Sequence, residues 1–325
     1  MLLVNSTNDL TIKGLPCPDL PILVDSEMRV IQPVYKFLIY LVFQNNKVHS
    51  PKTIQSYANS LYDYFSFLEA NKIDWIPTSN DTQISNLELY RSWSISLSGS
   101  KALSPSTINT RLAAIKSFYE YSYQKGVISS LPWDVSVGKI KHDTTDFMRH
   151  TRTSNIQDRN CLRIKHFKMP PRVLTLEQAK QLICAITNQT HRLMVKLALT
   201  TGLRRDEISS FQRDLIFKPS NPQMGKHLPI DLIPSHGKQR TKGNRPRTIY
   251  IPAPLMSELF EYARWGESVK SHCKSIGDDS NKLFLTRQGR EYSESTFNTL
   301  LNKLSSSGKI DFKVTPHMLR HTFAT

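Results

Sequence analysis

From Pro33 onward apolar residues return at helical spacing: Val34, Phe37, Leu38, Leu41 and Val42 mark one face of a first helix. A second helix starts at Ser50-Pro51, where a capping hydroxyl precedes a proline whose missing N–H is harmless in the first turn. Its stripe runs through Ile54, Tyr57, Leu61, Tyr64, Phe65 and Leu68. A third helical stretch covers about Ser85 to Leu97. A fourth opens at Ser104-Pro105, continues through Ile108, Leu112, Ile115, Phe118 and Tyr119, and stops at Gly126. The pattern predicts a compact all-α domain over residues 33–132. Tyr57, Tyr62, Tyr64, Phe65 and Phe67 read as its core rather than as a base-stacking platform. Residues 1–32 mix Pro, Asp and short apolar pieces without a period, so they are expected to form an irregular arm or a lightly attached strand.

Between Trp133 and Arg172 the periodicity disappears and Lys and Arg crowd the chain, so residues 133–172 read as a basic linker. Helical spacing resumes at LTLEQAKQLICAI, where Thr175 can cap and Gln178 sits three residues on. Leu193, Leu197 and Ala198 carry it to Thr201-Gly202. The alternating runs IDLI and RTIYI predict short strands, and further helices are expected at about Leu255 to Val269, Ser293 to Leu304, and from Pro316. Residues 173–325 are therefore expected to form a second domain, mainly α with a small sheet.

Charge changes the picture from architecture to partner. Lys and Arg number 43 against 27 Asp and Glu, a formal charge of +16, which favours a polyanion, with nucleic acid ahead of an anionic membrane surface. Lys52, Arg111 and Lys116 on the polar faces of the first domain, and Lys165 in the linker, are the candidate DNA contacts. Cys17, Cys161, Cys184 and Cys273 are far apart, without metal-ligand or disulfide spacing, and no metal or other cofactor is expected. The start MLLVNSTNDL has no basic and apolar leader pattern, and no stretch approaches a membrane span. A cytoplasmic protein with no membrane partner is expected.

Three segments carry cations without obvious carboxylate partners nearby: TGLRRDEI at 201–208, TKGNRPRTIYIP at 241–252, and TPHMLRHTFAT at 315–325. Arg204 follows a glycine break in an apolar helix, a place from which a guanidinium projects at a helix start. His317 and Arg320, at i and i+3, share a helix face, and an imidazole beside a guanidinium suits phosphate chemistry. Lys242 lies in a polar turn ahead of a strand, but Lys238, Arg240, Arg245 and Arg247 leave the choice of cation open on this segment alone.

The order of these segments resembles the tyrosine recombinase, or phage integrase, family over about residues 34 to 325. TGLRRDEI is similar to the family's first-arginine box, TKGNRPR to its hairpin lysine, and HMLRHTFAT to its His-x-x-Arg box. SPSTINTRLAAIKSFYEY resembles part of its four-helix, SAM-like core-binding domain. The resemblance implies that Arg204 and Arg320 hold the scissile phosphate, Lys242 protonates the leaving 5′ oxygen, and His317 helps move the nucleophile's proton. Glu207 would support the arginines, and His321 would play a packing or hydrogen-bonding part. It also implies strand exchange on double-stranded DNA through a 3′-phosphotyrosyl link without metal or ATP, in a homotetrameric synapse, with integration of a mobile element as the expected setting.

In the family the nucleophilic tyrosine follows the His-x-x-Arg box, and no tyrosine follows Tyr292 in this sequence. The chain is therefore expected to be truncated before its nucleophile and unable to cleave. The alternatives are a natural DNA-binding product that occupies recombination sites without cutting, and a type IB topoisomerase, which shares similar site chemistry.

Overall fold

The computed structural model describes residues 1–43, 50–77, 84–133, 162–165, 169–219, 225–234, 239–241, 243, 245–265, 267–275 and 281–325. The chain divides into two compact units, residues 1–168 and 169–325.

The first unit is built on α1 (Gln32–Phe43), α2 (Pro51–Asn71), α3 (Asn86–Ser96) and α4 (Pro105–Gln124). Their starts are locally encoded. Ser50 and Ser104 cap α2 and α4 by accepting the backbone N–H of Thr53 and Thr107, each with proline in the first turn, and Ser85 forms a capping box with Glu88. Such a cap is worth about 1 kcal/mol. The core is aromatic. Phe37, Tyr64, Tyr90, Phe118 and Tyr119 are fully enclosed, and the buried hydroxyls form a chain in which Tyr64 and Tyr119 meet at 2.7 Å and Tyr119 donates to the Trp75 carbonyl. Burial pushes both phenols above their ordinary pKa, so they stay protonated. Phe118→Ala would cost about 3–5 kcal/mol by opening this cluster.

The N-terminal segment, expected as an irregular arm or a lightly attached strand, forms paired strands. β1 (Leu2–Asn5) pairs antiparallel with β4 (Pro21–Val24), from Leu2↔Val24 to Asn5↔Pro21, with a small β2 (Thr11–Ile12) and β3 (Leu15–Pro16) pair between them. Cys17, Leu20 and Leu23 join the helical core, and Ser6 bridges the Cys17 carbonyl and the Leu20 N–H. Strands of two to four residues separated by turns are too short to display a period of two.

Of the basic stretch 133–172, residues 134–161 and 166–168 lie outside the described residues. Leu162 to Lys165 are docked on the first unit. Leu162 is buried, and the Asn109 side-chain amide exchanges two hydrogen bonds of 2.9 Å with the Ile164 backbone.

The second unit runs α5 (Leu176–Ala185), α6 (Gln189–Thr201), α7 (Arg205–Ser209), β5 (His227–Leu232), β6 (Arg247–Pro252), α8 (Ala253–Trp265), α9 (Glu267–His272), α10 (Glu294–Ser306) and α11 (Pro316–Ala324). The helix expected from about Leu255 to Val269 falls within α8 and α9, apart from residue 266, which lies outside the described residues. β5 and β6 form an antiparallel pair in which Leu228, Ile230, Leu232, Ile249 and Ile251 face the core, while Asp231 and Tyr250 face outward. α6 ends at Gly202, whose left-handed backbone (φ 62°) turns the chain directly into α7. Leu197, Phe211, Leu301, Val314 and Leu319 close the core around that turn. Among the described residues, no helix is long and apolar enough to cross a membrane.

Candidate functional site

The turn at Gly202 places Arg204 at the N-cap of α7. Its backbone N–H donates to Glu207 Oε2 at 2.7 Å, and its guanidinium donates to Glu207 Oε1 at 3.1 Å. Glu207 is 1% exposed. It also accepts from Arg247, the first residue of β6, at 2.5 Å, so one buried carboxylate holds two arginines from different elements. Such charge-assisted bonds fix geometry more firmly than neutral ones.

Arg320 reaches the same place from α11, where its guanidinium donates to the Gly202 carbonyl at 2.5 Å. Burial, and then the like charges of Arg204 and Arg247, draw its guanidinium below its ordinary pKa, with Glu207 acting in the opposite sense. An arginine stays charged under that pressure. Phe323, one turn beyond Arg320, packs its ring against Gly202, where an added Cβ would sit 2.4 Å from the ring. α11 and the α6–α7 turn therefore position each other.

His317 stands exposed in the first turn of α11, after Pro316, with Thr315 capping by accepting the Met318 N–H. Arg204, His317 and Arg320 line one cleft of about 530 Å³, together with Arg205, Asp206, Asn298 and Asn302. His321 is exposed one turn past His317, its ring centroid 6.3 Å from that of His317. Lys242 lies outside the described residues. The chain on both sides of it is attached to α7: the Gln239 amide donates to the Glu207 carbonyl, the Arg240 N–H donates to Ser210 Oγ, and Arg247 donates to Glu207.

None of the second unit's tyrosines lines the cleft. Tyr250 is exposed on the outer face of β6, Tyr262 is buried and bonded to Thr190, and Tyr292 packs against the core with its ring edge-on to His191.

The candidate DNA contacts of the first unit fare differently. Arg111 is paired with Asp63 at 2.6 Å, an oxygen that also accepts from Tyr90, and Lys116 lies over the Trp133 ring at 4.9 Å. Both are tied into the unit's own packing. Lys52, in the first turn of α2, and Lys165 are exposed. Arg247, Asn298 and Asn302 were not singled out by motif. Arg247 was one cation among several in its segment, and a neutral amide on a helix carries no chemical signature.

The fold that carries this cleft has known counterparts. Residues 172–325 match the Phage integrase family, and residues 34–126 match the phage integrase N-terminal SAM-like domain. The chain is 26% identical over 327 aligned residues to transposase A from transposon Tn554 of Staphylococcus aureus, covering 97% of this chain and 84% of that protein. It is 23% identical to the tyrosine recombinase XerC of Chlorobaculum tepidum, covering 89% of this chain and 80% of that one. In fold it is similar to the XerH recombinase in a pre-cleavage complex with its difH substrate (TM-score 0.56, 15% identity, 90% of this chain and 83% of that chain). It is equally similar to lambda integrase residues 75–356 bound to a COC′ core site (TM-score 0.56, 11% identity, 90% and 84%). Two family domains in the expected order, with relatives along nearly the whole chain, place this protein in the tyrosine recombinase family of DNA strand transferases.

Proposed function

We propose that this protein binds duplex DNA and takes part in site-specific breakage and rejoining through a 3′-phosphotyrosyl link. The observation that carries the proposal is the convergence of Arg204 and Arg320, from opposite ends of the second unit, on one cleft beside a single buried carboxylate. Two guanidiniums so held offer paired donors to the non-bridging oxygens of a phosphodiester. As a tyrosine oxygen attacks phosphorus, the equatorial oxygens gain negative charge, and donors fixed beforehand stabilise that charge without reorganising. The P–O5′ bond breaks as the tyrosyl ester forms. The leaving 5′ oxygen takes a proton from Lys242, while His317 accepts the phenolic proton. A second 5′ hydroxyl then attacks the ester and releases the tyrosine, so no external energy source is consumed. Glu207 keeps Arg204 in place rather than reacting, and His321 supports α11.

The relatives support the DNA partner, since XerH and lambda integrase are each held on DNA. A homotetrameric synapse, a cytoplasmic setting and the service of a mobile element rest on the family resemblance. Lys242, residues 133–172 as an interdomain linker, and the boundaries 33–132 and 173–325 for the two domains belong to the same proposal.

Duplex binding measured against salt tests the partner. If about six to ten phosphates are neutralised, affinity falls roughly 10³- to 10⁵-fold between about 50 and 200 mM salt, and a flat dependence would remove DNA. Residues 1–325 should bind yet form no covalent adduct on a suicide substrate, because no tyrosine of the second unit lines the cleft. An adduct would make one of the chain's own tyrosines the nucleophile. In a longer form that carries a downstream tyrosine, Arg204→Ala or Arg320→Ala should slow cleavage on the order of 10²- to 10³-fold with little change in affinity. Normal cleavage by those variants would refute the roles assigned to the arginines.

A further inference from the structure

We propose that Asn298 and Asn302 read adenine edges in the major groove of duplex DNA, beside the phosphate held by Arg204 and Arg320. The inference rests on the DNA-binding reading above and adds to it the residues that choose the sequence. α10 is anchored by Phe297, Leu301 and Leu304, all buried in the core of the second unit. Asn298 and Asn302 each follow one of those anchors, so they stand one above the other, four residues apart. Both line the same cleft as the two arginines.

Asparagine is a poor helix former, because its amide competes for backbone groups. Here neither amide makes such a bond. Thr299 and Ser305 on the same helix return their hydroxyls to the Ser295 and Leu301 carbonyls. By contrast, the Asn298 and Asn302 amides have no hydrogen-bond partner among the described residues. Each therefore presents a donor and an acceptor to the cleft.

A phosphate oxygen can only accept, so an amide offers it half of what it has. The major-groove edge of adenine presents the N7 acceptor beside the N6 donor, and an asparagine amide matches that pair. Four residues of helix advance about 6 Å, against roughly 3.4 Å per base along one strand, so the two amides reach bases one or two steps apart. The arginines would fix the register of the duplex through its backbone, and the asparagines would supply the sequence information.

The test is selection of duplexes from a randomised pool by the full chain and by Asn298→Ala and Asn302→Ala. The wild type should enrich adenine at one or two positions next to a common core. Each variant should lose its own position's preference by on the order of ten- to a hundredfold. Replacing that adenine by 7-deazaadenine, which removes N7 and keeps Watson–Crick pairing, should weaken the wild type and leave the matching variant unaffected. The salt slope of duplex binding should persist in the variants, since no charge is lost. Asn298→Gln, which keeps the amide but moves it by one methylene, should also lose the preference while folding normally. Unchanged adenine selection by both alanine variants, or indifference of the wild type to 7-deazaadenine, overturns the inference while the DNA-binding reading stands. Absence of any duplex binding by the wild type overturns the reading itself.

Discussion

The two units treat their arginines in opposite ways. In the first unit Arg111 has a carboxylate to itself, apart from the Tyr90 hydroxyl, and the pair closes a contact between α4 and α2. In the second unit Arg204 and Arg247 share Glu207, and Arg320 is held by a backbone carbonyl near both. An arginine whose charge is balanced within the fold is an element of packing. Arginines that outnumber the carboxylates bonded to them leave a net positive field. The +16 charge of the whole chain therefore says less about the site than the local ratio around Glu207 does.

The comparison can be broken most directly at its two carboxylates. Glu207→Ala strands two partly buried guanidiniums and should destabilise the second unit by about 3–5 kcal/mol in urea unfolding. Asp63→Asn in the first unit, where carboxylate and guanidinium both keep some contact with water, should cost about 1.5–3 kcal/mol. Equal losses would show that the two arginine environments do not differ as the geometry indicates.

A smaller effect is expected at the turn that joins the arginines. Gly202→Ala must accept a left-handed φ and a methyl against the Phe323 ring, at a cost of about 1–3 kcal/mol. Adding Phe323→Ala should relieve the ring contact but not the backbone strain. A double-mutant cycle by thermal melting separates the two, and zero coupling would mean that the ring moves freely away.

The smallest effect lies in the first unit. The N-terminal amine, followed by the Ser26 N–H, holds the Glu69 carboxyl below its usual pKa. A carboxyl depressed in the folded state contributes stability above its unfolded pKa, lost as pH falls through the folded one. Protection of the β1–β4 amides in hydrogen exchange should therefore drop as acidification carries the pH below the ordinary carboxyl range. Glu69→Gln should remove that pH dependence; if it persists, another carboxyl is responsible.

What was legible in the sequence was local. Ser50-Pro51, Ser104-Pro105 and the Thr175–Gln178 capping box announce helix starts because a cap and its acceptor lie within one turn. Arg204, His317 and Arg320 could be picked out by motif spacing, and they line one cleft. Arg247 was not, since its link to Glu207 spans 40 residues and nothing near Arg247 distinguishes it from its neighbouring cations. The ion pair of Arg111 was not legible for the same reason: Asp63 lies 48 residues away on another helix. The register of the β1–β4 pair was not legible, because the packing of Leu20 and Leu23 onto the helices, rather than any alternation along the strands, secures it.

The contacts of α11 carry a consequence for the order of assembly. Arg320 meets Gly202 across 118 residues, and Thr322 accepts the Leu174 N–H across 148, so these bonds require nearly the whole second unit to be looped back on itself. Contacts of such long range repay their loop-closure entropy late in a folding reaction. Substitutions at Thr322 or Phe323 should then quicken unfolding while leaving the refolding rate nearly untouched, the behaviour of residues outside the nucleus. On the ribosome, the arginine pair would come into being only with the final helix of residues 1–325, so an incomplete nascent chain does not present the assembled cleft.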